Sequence, residues 1–124
     1  MVMRKLSKLD PECIYGRDVE GTIVSIRSLK GKPGKMVCVQ GKLVSIEEKP
    51  LSNGDINLIL NISDDTDFIR FKLYTRKEDK EFAYENIKIS NIYKVKGIAF
   101  YDKLICKYSL KDVLGIKDIS LYPE

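Results

Sequence analysis

Three carboxylates stand within four positions, Asp64, Asp65 and Asp67, with Thr66 between them. Such a cluster could hold Mg²⁺, usually together with a phosphate substrate, but only if the oxygens converge from fixed directions. Consecutive residues on one turn rarely converge without ligands from elsewhere. Asp and Thr side chains also bond to nearby backbone N–H groups and favour turns for that reason. The cluster reads as a bend between two strands, and no residue is assigned to a metal or to catalysis.

The run after the bend alternates. Phe68, Arg70, Lys72 and Tyr74 fall on one side, and Ile69, Phe71 and Leu73 on the other. The run before it, 56–63, places Ile56, Leu58, Leu60 and Ile62 inward and Asn57, Ile59 and Asn61 outward. Single-stranded nucleic acid needs cations for its phosphates and flat π-faces for its bases. Arg70 and Lys72 supply charge, Phe68 and Tyr74 supply rings, and Asn57 and Asn61 can hydrogen-bond bases or sugars. Flanking loops add Lys49 and Asn53 on one side and Tyr101 and Lys103 on the other. A plain solvated strand face has much the same composition, because Lys and Arg are normally exposed. Phe68 and Tyr74 could equally serve packing.

These residues need a scaffold, and the chain's 124 residues are enough for one domain with a single core. A content of 44% hydrophobic and 32% charged residues is ordinary for a soluble globular protein. No apolar run approaches the roughly 20 residues that cross a membrane. The start MVMRKLSKL lacks an apolar h-region, so a signal peptide is not expected and a cytoplasmic protein is the simplest inference. Histidine is absent, which excludes a serine-histidine or cysteine-histidine nucleophile system within this chain. Cys13, Cys38 and Cys106 show no CxxC spacing. Cys38 and Cys106 lie in strand-like runs and are expected as small buried apolar residues. The net charge of +4 permits a polyanionic partner without demanding one. No cofactor is implied.

Residues 1–35 are weakly patterned, and LKGKPGK (29–35) carries loop chemistry. They read as an N-terminal extension or linker, with residues 36–124 as the domain proper. KMVCVQGKLVSIEEK (35–49) predicts a long strand whose apolar parity shifts after Gly41 to Val44 and Ile46, the mark of a bulge or bend. LSNGD (51–55) carries an Asn-Gly turn signal. Strands are expected over 56–63 and 67–75, then a short helix around 77–86 with Phe82, Tyr84 and Ile87 facing the core. Strands over 91–102 and 103–110 follow, joined by a tight turn at Tyr101-Asp102-Lys103, with Tyr93 and Phe100 packing inward. The tail continues the last strand or adds a short one near 118–121. The fold class is all-β: a five-stranded barrel with one short helix between its third and fourth strands, plus the extension. That is the element order of the OB-fold, which several other small β-barrels share.

The motifs carry a resemblance. IYGRDVEG (14–21) followed by GKMVCVQGKLVSIEEKPLSNGDINLILNISDDTDFIRFKLYTRKED (34–79) resembles the OB domain of PolC-type DNA polymerase III. Ser52-Asn53-Gly54 stands where that family has a Ser-Gly turn, and Ile62 through Asp67 match its Ile-Thr-Asp-x-Thr-Asp. Lys72, Leu73-Tyr74 and Thr75-Arg76 match the following strand, and Tyr93-Lys94-Val95-Lys96-Gly97 a later one. The likeness covers roughly 14–108. Glu47, Glu48 and Lys49 depart from the arginine-rich arm common in the family, and the segment after Lys103 also differs. The resemblance implies a piece of a much longer polymerase with 3′–5′ exonuclease activity, none of whose catalytic segments is present here. It implies single-stranded DNA template, neighbouring polymerase domains and replisome proteins as partners, and a monomer as a fragment. The competing readings are a protein-docking or spacer domain, a freestanding OB protein and, least supported, a metal-dependent enzyme on the Asp64 cluster.

Overall fold

The computed structural model describes residues 13–16 and 19–120. The expected extension lies outside the described residues at 1–12, 17 and 18, as does the end of the possible strand near 118–121. Six strands form in chain order: β1 (Cys13–Gly16), β2 (Met36–Pro50), β3 (Ile56–Ser63), β4 (Phe68–Thr75), β5 (Ile92–Asp102) and β6 (Lys107–Asp118). A 3₁₀ segment, Ile26–Gly31, precedes β2. A 3₁₀ turn, Lys77–Asp79, leads into helix α1, Lys80–Asn86, which sits between β4 and β5 as expected.

Apolar alternation explains the strands. β4 is buried at Ile69, Phe71 and Leu73 and open at Phe68, Lys72 and Tyr74. The sheet runs β1-β6-β4-β3-β2-β5, and pairing of β6 with β5 closes β2 to β6 into a barrel with β1 added outside. All barrel pairings are antiparallel except β4 with β6, which is parallel through Arg70–Ser109 and Phe71–Leu110. Closure is partial on this side, because β4 meets β6 only at Arg70 and Phe71. Its inside is filled by Leu58, Leu60, Ile62, Ile69, Phe71, Val95 and Ile116 among others.

β2 is one 15-residue strand that pairs with β5 over Met36–Lys42 and with β3 over Lys42–Pro50. Gly41 permits the tight crossing: a Cβ there would stand 2.5 Å from the Ser63 carbonyl oxygen. The bulge itself is at Val44, where the register with β3 slips between Leu43 and Ser45. Leu43 therefore points inward and Val44 outward, a correction to the expected shift to Val44.

Other expectations change. Residues 26–31, placed partly in a loop, form 3₁₀ structure, and Leu29 is fully buried in the core. The β5–β6 turn falls at 103–106 rather than at Tyr101-Asp102-Lys103, so β5 ends at Asp102 as expected while β6 starts later than expected and runs on to Asp118. Cys106 is consequently exposed in that turn, whereas Cys38 is buried as expected. On α1, Ala83 and the following Ile87 are buried and Phe82 packs on the core. Tyr84 does not; its hydroxyl donates to Glu48 Oε1 at 2.7 Å beside a Lys80–Glu48 ion pair, pinning the helix to the end of β2. Tyr93 is buried as expected, but Phe100 is only half-buried and lines a surface cleft.

Candidate nucleic-acid interface

β3 and β4 place Asn57 opposite Tyr74, Ile59 opposite Lys72, Asn61 opposite Arg70 and Ser63 opposite Phe68. Directly opposed residues share a face. Asn57, Asn61, Phe68, Arg70, Lys72 and Tyr74 thus lie on one surface, and Lys49, paired with Asn57 from β2, extends it. Ile59, expected outward from the alternation, sits in the same row but is 3% exposed.

The rest of the predicted set divides by position. Asn53 is spent on the β2–β3 turn: its amide donates to Asp55 Oδ2 and its carbonyl oxygen accepts the Asp55 N–H. Gly54, at φ 91°, supplies the left-handed residue that this turn needs. Tyr74 is tethered nearby, its hydroxyl donating to Asp55, which also accepts the Lys77 N–H at 2.9 Å. The Tyr74 bond and then the Lys77 N–H hold the Asp55 carboxyl below its usual range. Tyr101 lies across the surface on β5, its ring edge-on to Tyr108 at 5.5 Å. Lys103 opens the β5–β6 turn and is exposed.

Two clefts flank the β4–β6 seam. The first, about 430 Å³, is lined by Phe68, Tyr101, Tyr108, Lys107, Arg27 and Lys30, with Asp67 at its edge. Lys107 holds its ammonium 5.9 Å from the centre of the Phe68 ring. The second, about 280 Å³, is lined by Arg70, Lys72, Phe100 and Lys111, with Asp102 and Asp112 as its acids. Lys111 stands 5.6 Å from the centre of the Phe100 ring. Ser109 lies in its wall, its hydroxyl buried and without a hydrogen-bond partner among the described residues. Buried hydroxyls are normally partnered. Arg76 pairs with Glu78 and Lys80 with Glu48, whereas Arg27, Lys30, Arg70, Lys72 and Lys107 form no ion pair with a described residue.

Arg27 was not anticipated, and Lys30 only as one of the lysines of a loop. In a 3₁₀ segment residues three apart eclipse, so Ile26 and Leu29 face the core while Arg27 and Lys30 face the cleft. The spacing-three pattern IRSLK was the available signal. Lys107 and Tyr108 were missed because the turn was placed too early.

The acidic bend does structural work. Asp64 Oδ1 accepts the Thr66 N–H at 2.9 Å, the Asp67 N–H at 3.3 Å and a short bond from the Thr66 hydroxyl. Its Oδ2 accepts the Ile26 N–H at 2.7 Å, and Thr66 Oγ1 accepts the Arg27 N–H at 3.2 Å. Both Asp64 oxygens are thus committed to N–H and O–H donors. Among the described residues no three His, Cys, Asp or Glu side chains gather as metal ligands would.

A closed mixed barrel of β2 to β6 with a helix between β4 and β5 defines the class: this chain is an OB-fold domain. The chain belongs to the PolC-type DNA polymerase III family: it is 31% identical over 107 residues, 86% of its length, to a segment of the "DNA polymerase III PolC-type" of Clostridium perfringens. The chain spans 7% of that relative's length. No protein-family model matches. Solved structures share the fold. A RecG structure bound to a three-way DNA junction aligns with TM-score 0.61 at 23% identity, over 82% of this chain and 13% of that one. An aspartyl tRNA synthetase from Entamoeba histolytica aligns at 0.61 and 15%, over 88% and 25%. A replication protein A domain from Methanococcus maripaludis aligns at 0.54 and 21%, over 78% and 98%. Among the described residues no helix is long and apolar enough to cross a membrane.

Proposed function

We propose that this domain binds single-stranded DNA across the β3–β4–β6 surface, within a cytoplasmic PolC-type replicative polymerase, where it holds template. The observation that carries the reading is that cations and rings share the two clefts beside the β4–β6 seam: Arg27, Lys30 and Lys107 around Phe68, Tyr101 and Tyr108, and Arg70, Lys72 and Lys111 around Phe100. Phosphates sit on the cations and bases stack on the rings. Asn57 and Asn61 offer hydrogen bonds alongside. Lys49 and Lys103 extend the positive rim at the two loop ends. The relationship to a polymerase segment supports DNA as the ligand and neighbouring polymerase domains or replisome proteins as further partners.

The test is fluorescence anisotropy of a labelled DNA single strand of about 20 nucleotides, titrated at low and moderate salt. The expected result is binding that weakens with salt and is lost in Arg70→Ala/Lys72→Ala. No rise at low salt would instead assign the face to protein docking.

A further inference from the structure

The β5–β6 hairpin closes at the Asp102–Lys107 pair, leaving Lys103, Leu104, Ile105 and Cys106 as its tip. Leu104 is 95% exposed, far beyond the other exposed large apolar residues of the described chain. It is not on a slack loop. Asp102 Oδ1 accepts the Leu104 N–H at 3.0 Å. Cys106 turns the chain back in the left-handed region, φ 55°, with its thiol 3.6 Å from the Lys103 carbonyl oxygen. The tip is therefore braced from both sides, and the leucine is held outward.

Its surroundings narrow what it can meet. Behind it stand Tyr101 and Tyr108 in edge-on contact, opening into the cleft with Phe68. Lys103 and Lys107 flank it, both exposed. Protein interfaces are depleted in lysine at their cores. An apolar side chain among cations and beside π-faces suits nucleic acid, where such wedges insert between base steps and partly unstack them.

We propose that Leu104 is a wedge residue that packs against the terminal base pair where duplex DNA meets single strand. The single strand then runs into the Phe68–Tyr101–Tyr108 cleft, and Lys103 and Lys107 take the phosphates on either side of the junction. This rests on the proposed single-strand binding and adds a preferred substrate shape, a fork.

The experiment compares a forked DNA carrying 2-aminopurine at its first paired position with the matching single strand, using this chain and its Leu104→Ala and Leu104→Met variants. Binding of the parent chain to the fork should raise 2-aminopurine fluorescence as the base unstacks. Leu104→Ala should abolish that rise and weaken fork binding about tenfold or more, the effect of losing one buried leucine side chain, while single-strand affinity stays unchanged. Leu104→Met should keep both signals. Leu104 is so exposed that its truncation leaves the fold intact. Single-strand binding without a fluorescence rise on the fork, or a Leu104→Ala variant that matches the parent, overturns the wedge and leaves the proposed function standing. No binding to either DNA overturns both.

Discussion

Asp64 on the β3–β4 bend accepts the backbone N–H of Ile26 at 2.7 Å, across 38 residues of sequence. Through this bond and its neighbour from Arg27 to Thr66, a turn between two barrel strands fixes where the 3₁₀ segment lies. Ile26 and Leu29 go into the core, and Arg27 and Lys30 come to the edge of the Phe68 cleft. The carboxylate read from the sequence as part of a bend thus also helps to place two cations of the candidate interface.

Removing that acceptor should cost stability and, at a distance, binding. Asp64→Asn should lower unfolding free energy by about 1–3 kcal/mol, as expected when donors lose a charged partner. It should also weaken DNA binding without removing any residue from the cleft. Urea titration at neutral pH checks the first and anisotropy the second; a variant with parent-like values in both would detach Asp64 from the 3₁₀ segment.

The same group makes acid sensitivity. Partial burial pushes the Asp64 carboxyl up, but bonds from Thr66 and the Ile26, Thr66 and Asp67 N–H groups outweigh it and hold the group below its usual range. A depressed folded value means the native state prefers the carboxylate. Its contribution is fully present above the unfolded carboxyl value of about 3.9 and is lost as pH falls through the folded value. Unfolding curves from pH 7 down into the acid range should show the parent losing more stability than Asp64→Asn.

The rings and the cations of the interface should separate in their salt response. Phe68→Ala or Tyr101→Ala should cost about 1–3 kcal/mol for each lost stacked base, with the slope of log affinity against log salt unchanged. Arg27→Ala or Lys107→Ala should reduce that slope by about one. Parent-like slopes in Arg27→Ala and Lys107→Ala would mean that those cations do not neutralise phosphates, and parent-like affinity in Phe68→Ala and Tyr101→Ala that the rings do not stack on bases.

Leu29, although it lies before β2, is as buried as any barrel residue. Leu29→Ala should therefore destabilise by about 2–5 kcal/mol, the range for truncating a core leucine. Thermal unfolding followed by circular dichroism reads this directly, and a near-neutral outcome would show the 3₁₀ segment to be peripheral.

Two glycines should respond in opposite ways to alanine. At Gly41 the new Cβ would meet the Ser63 carbonyl oxygen at 2.5 Å, a backbone contact that cannot rotate away, and at Gly31 nothing stands within 4 Å. Gly41→Ala should cost about 1–3 kcal/mol or more by overpacking, and Gly31→Ala should be close to neutral. Parallel melting curves decide.

What the sequence made legible follows from local periodicity. Alternation in 56–63 and 68–75 was enough to put Asn57, Asn61, Arg70 and Lys72 on one face, because strand side chains alternate whatever surrounds them. The fold came from the order of such runs. Contacts remote in sequence left no such trace. Ile59 alternates outward yet is buried, and nothing in its own strand reveals that. Arg27 and Lys30 depend on a bond to Asp64 far along the chain. The β5–β6 turn was misplaced because Tyr101-Asp102-Lys103 has turn chemistry, whereas Cys106 in a left-handed conformation is uncommon for its residue type. That shift hid Lys107 and Tyr108.

β2 belongs to both halves of the barrel, bonded first to β5 and then to β3. Neither half can detach while the other stays whole, since each would strip hydrogen bonds from one continuous strand. Loss of structure should then be all-or-none, with core amides of β3 and β5 exchanging with solvent through a single global opening. Assembly should share that character: β2 must find partners as far away as Ile98, so the chain must close long loops before much is gained. The feature that makes the candidate face a rigid platform also makes it slow to form.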